Sequence, residues 1–186
     1  MGTRTRGFAN LIGANGPISL PSGVGGKVLQ VVQTSITSTT SVTSNTFVDV
    51  GLSLAITPSN SSNKILVICA VQAGVPEAGA SGDDGYIAVA RDINGGGYNR
   101  IGGGGDVEGN SLMHITAGSN SASYNDLQWI LQTGTITYLD SPSTTSSTTY
   151  KIQQRNRNTS KQTYFNRRGG DSMSGISYLT LMEIAG

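Results

Sequence analysis

Apolar and polar residues alternate along most of this sequence, and that alternation limits the possible folds more than any other feature. The clearest stretches run from Lys27 to Ile36 and from Thr46 to Thr57. A period of two places successive side chains on opposite faces, which is typical of strands with one buried face. No apolar stripe with the 3.6-residue period of a helix reaches a convincing length. The chain is therefore predicted to be all-β.

Turn-forming residues divide the sequence into short segments. The predicted strands cover residues 27–36, 46–57, 64–71, 86–93, 112–116, 127–139, 148–154, 162–166 and 176–184. Gly51 predicts a bend in the second strand, and the apolar run at 64–71 is predicted to be the most buried strand. Residues 148–154 and 162–166 are predicted to pair with each other. Eight to ten short strands with this spacing indicate a β-sandwich or barrel.

The first 25 residues differ from the rest of the chain. They are rich in Gly, Asn and Pro, and Pro17 and Pro21 disfavour a packed helix or strand. The apolar side chains Phe8, Leu11 and Ile12 stand isolated among them. We expect residues 1–25 to form an extended N-terminal arm that a partner surface orders, followed by one domain over residues 26–186.

Composition excludes several classes of protein. Charged residues make up 12% of the chain, and 12 Lys and Arg nearly balance 11 Asp and Glu, which argues against a general nucleic-acid binder. In their place the sequence has 43 Ser and Thr. No run approaches the roughly 18 apolar residues of a membrane helix, so membrane insertion is not expected. The basic start lacks the apolar segment of a secretory signal.

Neither a phosphate-binding loop nor a calcium loop is complete. Near the Gly26-Lys27 pair, Pro21 occupies the position where a phosphate-binding loop requires glycine. Asp92 opens a calcium-like loop, but Gly103 stands where the bidentate Glu belongs. We predict no cofactor and no metal. A calcium ion held by several loops of the acidic segment 77–126 stays open as an alternative.

Groups suited to catalysis are few. The one histidine, His114, lies in a short apolar segment, and Cys69 lies in the most apolar run, where burial makes a thiol inert. No spacing favours a catalytic pair of carboxylates, so the chain is predicted not to be an enzyme. A polysaccharide-degrading enzyme that uses acids such as Asp106 and Glu108 stays open as an alternative.

Half of all basic residues lie within 18 positions near the C-terminus, and no acid occurs between Asp140 and Asp171. On an extended strand the alternating basic residues share one face, which could contact anionic sugars or another negatively charged partner. The alternative is a solvated hairpin whose charges discourage edge-to-edge pairing. The residues predicted to make this contact are Lys151, Arg155, Arg157, Lys161 and Tyr164, and the glycine-rich segment 95–109 is a second predicted contact loop.

Seven segments, taken in order, resemble a known family. They are Gly26–Val32, Phe47–Leu52, Ile56–Ser59, Ser61–Val67, Tyr138–Pro142, Thr149–Gln153 and Leu179–Ile184. This order is similar to that of the C-terminal β-sandwich domains of bacteriophage tail fibres and related virion appendages, especially those of marine phages. The resemblance covers roughly residues 25 to 186.

The resemblance implies a jelly-roll-like fold, assembly as a homotrimer, and host-surface or glycan binding at an exposed end. It also implies attachment to the virion, assembled in the cytoplasm of the bacterial host. Because only about 25 residues precede the domain, a short fibre, a knob or a capsid decoration protein fits the length best. Phe8, Leu11 and Ile12 would then anchor the arm to another virion protein. A purely structural capsid or tail protein without receptor binding is the alternative.

Overall fold

A computed structural model describes residues 27–75, 84–103, 113–115, 127–157, 159 and 162–186. The arm, with Phe8, Leu11 and Ile12, lies outside the described residues. The strands within them are β1 (Val28–Ile36), β2 (Thr40–Val42), β3 (Val48–Ile56), β4 (Lys64–Gly74), β5 (Gly85–Ile93), β6 (Asn99–Ile101), β7 (Met113–Ile115), β8 (Gln132–Asp140), β9 (Thr148–Asn156), β10 (Thr163–Phe165) and β11 (Ser177–Ile184). The other regular element is a 3₁₀ turn at residues 127–129. The all-β prediction is confirmed.

The strands form two antiparallel sheets. In sheet A the order is β1-β11-β4-β8. The short strand β10 pairs with the last residues of β4 on the same side as β11, and β2 pairs with β10. In sheet B the order is β3-β9-β5-β6, and β7 also pairs with β5. The long strands alternate between the two sheets along the chain, which is the arrangement of a jelly roll. The predicted jelly-roll-like β-sandwich is therefore confirmed.

The core lies between the sheets and follows the alternation in the sequence. Ile65, Val67, Cys69 and Val71 of β4 point inward and are fully buried. The residues between them, among them Leu66 and Ile68, point outward and are only half-buried. The prediction that this strand is the most buried is wrong, because β5 buries six consecutive residues and β4 buries one face.

Two local predictions have opposite outcomes. The bend at Gly51 is confirmed, because its φ is 88° and the register of β3 against β9 shifts between Asp49 and Ser53. The predicted pairing of residues 148–154 with 162–166 is wrong, because β9 belongs to sheet B and β10 to sheet A. The chain changes sheets after Asn156, whose Nδ2 donates to the Val42 carbonyl at 2.7 Å.

The sandwich has two unlike ends. At one end, the terminal end, Ala185 N donates to the Lys27 carbonyl at 2.9 Å and Gly186 N to Asn63 Oδ1 at 3.1 Å. The connections at this end are short and comprise residues 57–63, 94–98 and 141–147. At the other end, the distal end, Asn166 ties β1, β4 and β11 together. The strand ends there are joined by the longer segments 37–47, 75–84, 116–131 and 157–176.

Candidate functional site

The predicted basic face exists on the outside of sheet B. Lys151, Gln153 and Arg155 of β9 alternate with the inward-facing Ile152 and Gln154, as the sequence predicted. The neighbouring strands add polar and aromatic side chains to the same surface. We call this surface the cationic face, defined by Phe47, Asp49, Tyr86, Tyr98, Arg100, Lys151, Gln153 and Arg155.

Lys151 anchors one part of the cationic face. Its Nζ lies 2.7 Å from Asp49 Oδ2 and 3.4 Å from the centre of the Tyr98 ring. Gln153 Nε2 donates to Asp49 Oδ1 at 2.8 Å. Burial raises the pKa of Asp49, but the hydrogen bonds from Lys151 and Gln153 outweigh it and hold that pKa below its ordinary value. A shallow cleft next to this group is lined by Asp49, Ser53, Tyr98 and Lys151.

Arg155 is a buried part of the cationic face and offers little surface to a ligand. Arg155 is 5% exposed, and its guanidinium lies 4.4 Å from the centre of the Tyr86 ring. The Phe47 ring receives both Arg155, at 5.6 Å, and Arg100, at 4.7 Å. Stacking on aromatic faces replaces part of the lost hydration of an arginine. Arg155 therefore positions the surrounding rings.

The remaining predicted contacts do not form one site with Lys151 and Arg155. Arg157 follows β9 at the distal end, is exposed, and has Nη1 3.7 Å from Asp84 Oδ2. Lys161 lies outside the described residues, as does part of the segment 95–109. Tyr164 is in sheet A, where it is 9% exposed and its ring centre lies 4.4 Å from the Arg167 guanidinium. The separation follows from the change of sheet between β9 and β10.

A second surface, which sequence reasoning missed, lies at the distal end. Residues 127–131 are predicted from the sequence to begin a strand, but residues 127–129 form a 3₁₀ turn, which contacts the segment before β11. Gly170 N donates to the Gln128 carbonyl at 2.8 Å, and Arg168 Nη1 donates to the Trp129 carbonyl at 3.1 Å. The indole lies against Gly170, because a Cβ there would come within 2.7 Å of a Trp129 ring carbon.

This second surface is apolar, exposed and held in place. Trp129 is 47% exposed, and the Arg168 guanidinium lies 5.4 Å from the centre of its ring. Asp171 fixes Arg168 by accepting from its Nε at 2.6 Å, and this bond lowers the pKa of Asp171 to about 2. We call the surface the tryptophan patch, defined by Trp129, Ile130, Arg168, Met173 and Ile176.

The sequence contains only a weak signal for the tryptophan patch. Trp129 is the one tryptophan in the chain, but it directly precedes an alternating segment, and that pattern predicts a strand that includes it. Arg168 is one of the basic residues near the C-terminus, but the fold separates it from Lys151 and Arg155. Their contact joins positions 39 residues apart, and no periodic pattern connects them.

The described part of the chain contains no group of three or more His, Cys, Asp or Glu side chains arranged to hold a metal ion. Asp92, the proposed opening of a calcium loop, instead accepts from Gly97 N at 2.8 Å and closes its own turn. Asp106 and Glu108 lie outside the described residues. Within the same ranges no helix is long and apolar enough to cross a membrane.

Comparison with known proteins assigns no family to this chain. No protein-family model matches the sequence, and no curated protein matches it either. Among solved structures, the chain is similar to the VP2 protein in the crystal structure of the infectious bursal disease virus VP2 subviral particle, with a TM-score of 0.32 and 10% identity. The alignment covers 86% of this chain and 38% of that one. A likeness of this extent carries no inference about function.

Proposed function

We propose that the protein is a homotrimeric virion appendage of a bacteriophage that contacts the host cell surface through its distal end. The observation that carries this proposal is the polarity of the sandwich. Both ends of the described domain, Lys27 and Gly186, meet at the terminal end, so a partner bound through residues 1–25 would hold the protein there. The distal end then points away from the attachment.

The distal end has the composition of a binding surface. Long connections placed on a rigid scaffold are where proteins usually carry binding residues. Tryptophan, arginine and methionine are enriched where interfaces concentrate their binding free energy, and all three occur in the tryptophan patch. Because the Gly170 backbone and the Arg168 guanidinium already lie against the indole, a ligand would not have to order it.

Binding of the labelled full chain to a panel of bacterial strains tests the proposal. Trp129→Ala is expected to reduce the protein bound to a susceptible strain at least about tenfold, which is typical of a dominant interface residue. Val28→Ala is the matched control, because Val28 is equally exposed, at 48%, but lies at the terminal end. It should bind as the wild type does.

The emission of Trp129 gives an independent measurement. Since the chain has one tryptophan, its fluorescence reports on the tryptophan patch alone. Lipopolysaccharide purified from a strain that binds the protein should shift this emission in the wild type. Binding to no strain, or binding that Trp129→Ala leaves intact, would contradict a distal receptor site and favour the purely structural alternative.

A further inference from the structure

Among the described residues, the outer face of sheet A is left accessible, since Val31, Leu139 and Tyr178 are each at least 41% exposed. From Gln30 onward β1 keeps one register with β11, and β11, β4 and β8 are also in register, so side chains from four strands line up in rows across the sheet. One row consists of Val31, Met182, Leu66 and Leu139. Val31 is 52% exposed and Leu139 is 49% exposed, one at each edge of the sheet. We call these four residues the apolar row.

On the side of the apolar row that faces the distal end, the neighbouring residues are uncharged, whereas on its other side Ile184 lies next to the exposed Lys64. The next two rows consist of Gln33, Thr180, Ile68 and Thr137, and of Ser35, Tyr178, Ala70 and Thr135. The low charge of the whole chain does not explain why these two rows lack charges, because the cationic face on the other sheet carries Asp49, Lys151 and Arg100. An exposed apolar surface with a polar border is typical of an interface between proteins.

We propose that the outer face of sheet A is the surface through which copies of this chain associate. A second copy presents the same apolar row and the same two uncharged rows, and Lys64 lies at the border of the face, where its ammonium group can stay in water. Glutamine and threonine beside the row can exchange hydrogen bonds across such a contact, as Gln33 Nε2 and Thr180 Oγ1 already do within one chain at 2.8 Å. The sequence pattern is consistent with this, since Leu66 and Ile68 are apolar without belonging to the core.

The face is large enough for a specific contact. Four strands about 4.8 Å apart, with about eight residues each at about 3.3 Å per residue, cover roughly 500 Å². Two such faces remove roughly 1,000 Å² from water, which is near the lower limit of stable interfaces. Two whole faces pair about a twofold axis, whereas in a trimer one edge of the face, at Val31, contacts the other edge, at Leu139, of the next copy. This inference deepens the self-association in the proposed function and rests on that part of it, but it does not depend on host binding.

Sedimentation velocity of the full chain over a range of concentrations tests the inference. The wild type should sediment as a multimer, and the double variant Val31→Lys/Leu139→Lys should sediment as a single chain, because it places like charges opposite each other. Ala55→Lys is the matched control, since Ala55 is exposed on β3 of sheet B, and it should leave the multimer unchanged.

A milder pair of substitutions guards against misfolding. Val31→Thr/Leu139→Thr keeps the strand free of charge and should raise the dissociation constant of the multimer about tenfold. A wild type that sediments as one chain, whether because residues 1–26 cover the face or because nothing does, would overturn the inference. So would a multimer that both double variants leave intact. A dimer that depends on this face would refute the trimer but support the interface.

Discussion

At the scale of single residues, Glu183 shows how a chain with few charges uses one of them. The residue is 1% exposed on β11. Its Oε1 accepts from Ser59 N at 2.6 Å, Ser59 Oγ at 2.8 Å and Asn63 Nδ2 at 2.6 Å, and its Oε2 accepts from Gln30 Nε2 at 2.6 Å. A carboxylate whose lone pairs are satisfied by neutral donors can stay ionised in a buried place. Glu183 thereby joins β1, β11 and the 57–63 turn at the terminal end.

These contacts predict a pH-dependent stability. Burial raises the pKa of Glu183, but the hydrogen bonds from Asn63, Gln30 and Ser59 outweigh it and lower the pKa to about 2, from 4.5. The stabilisation is therefore complete above about pH 4.5 and is lost as the pH falls through about 2. Glu183→Ala should lower the free energy of unfolding by about 2–4 kcal/mol at pH 7.

Urea unfolding of the wild type and the variant between pH 7 and pH 2 measures this effect. The difference between the two proteins should shrink as the pH falls, because the wild-type carboxyl becomes protonated. Comparing the proteins at each pH removes the contributions of Asp49 and Asp171, whose pKa values are also lowered. A difference that stays constant over this range would contradict the assignment.

At the scale of elements, a cluster around Asp140 joins the two sheets. Asp140, at the end of β8 in sheet A, is 4% exposed. It accepts from Arg91 Nη1 of β5 at 2.7 and 2.8 Å and from the Tyr150 hydroxyl of β9 at 2.7 Å. Burial, and then the hydrogen bond to Asp140, raise the pKa of Tyr150. The cluster ties three strands together near the 141–147 connection.

Removing the acceptor should therefore cost more than removing one donor. Asp140→Ala leaves the guanidinium and the hydroxyl without their partner and should lower the free energy of unfolding by about 3–5 kcal/mol. Tyr150→Phe removes one hydrogen bond to a charged group and should cost about 1.5–3 kcal/mol. Equilibrium unfolding of both variants and of the double variant measures their coupling. Energies that add without coupling would show that the cluster does not act as a unit.

At the scale of the whole molecule, β4 is the central strand of sheet A, because it pairs with β11 on one side and with β8 on the other. Cys69 lies at its centre, is fully buried, and has its pKa raised by burial to about 12. Both facts agree with the prediction that this thiol is inert. Exposing Cys69 requires the two sheets to separate, so its reactivity should report global unfolding.

Labelling with a disulfide reagent at pH 8 measures that reactivity. The native wild type should remain unlabelled, and one thiol per chain should react in urea, with the midpoint of the global transition. Ala55→Cys supplies a control thiol on an exposed residue, and that thiol should react at once in the native state. Labelling of Cys69 in the native state at a similar rate would show that the sandwich opens without unfolding.

Several features follow from local sequence alone. Alternation predicted β1, β3 and β11 to within two residues at each end, because a side chain in a strand faces opposite to its neighbour whatever the strand pairs with. Gly51 marked its bend for a similar reason, since a φ of 88° strongly favours glycine. The common face of Lys151 and Arg155 also needed nothing beyond their spacing.

Strand partners and loop contacts were decided only by the tertiary structure. Which sheet a strand joins depends on how all apolar faces are buried together. Tyr164 therefore lies in sheet A, away from the cationic face, although it follows Arg155 closely in sequence. Arg155 is a predicted contact residue, but it is buried and its guanidinium packs against the rings of Phe47 and Tyr86. The tryptophan patch exists because Gly170 gives the indole of Trp129 room to pack. Alternation describes a strand's own two faces, whereas these contacts join residues that are distant in sequence.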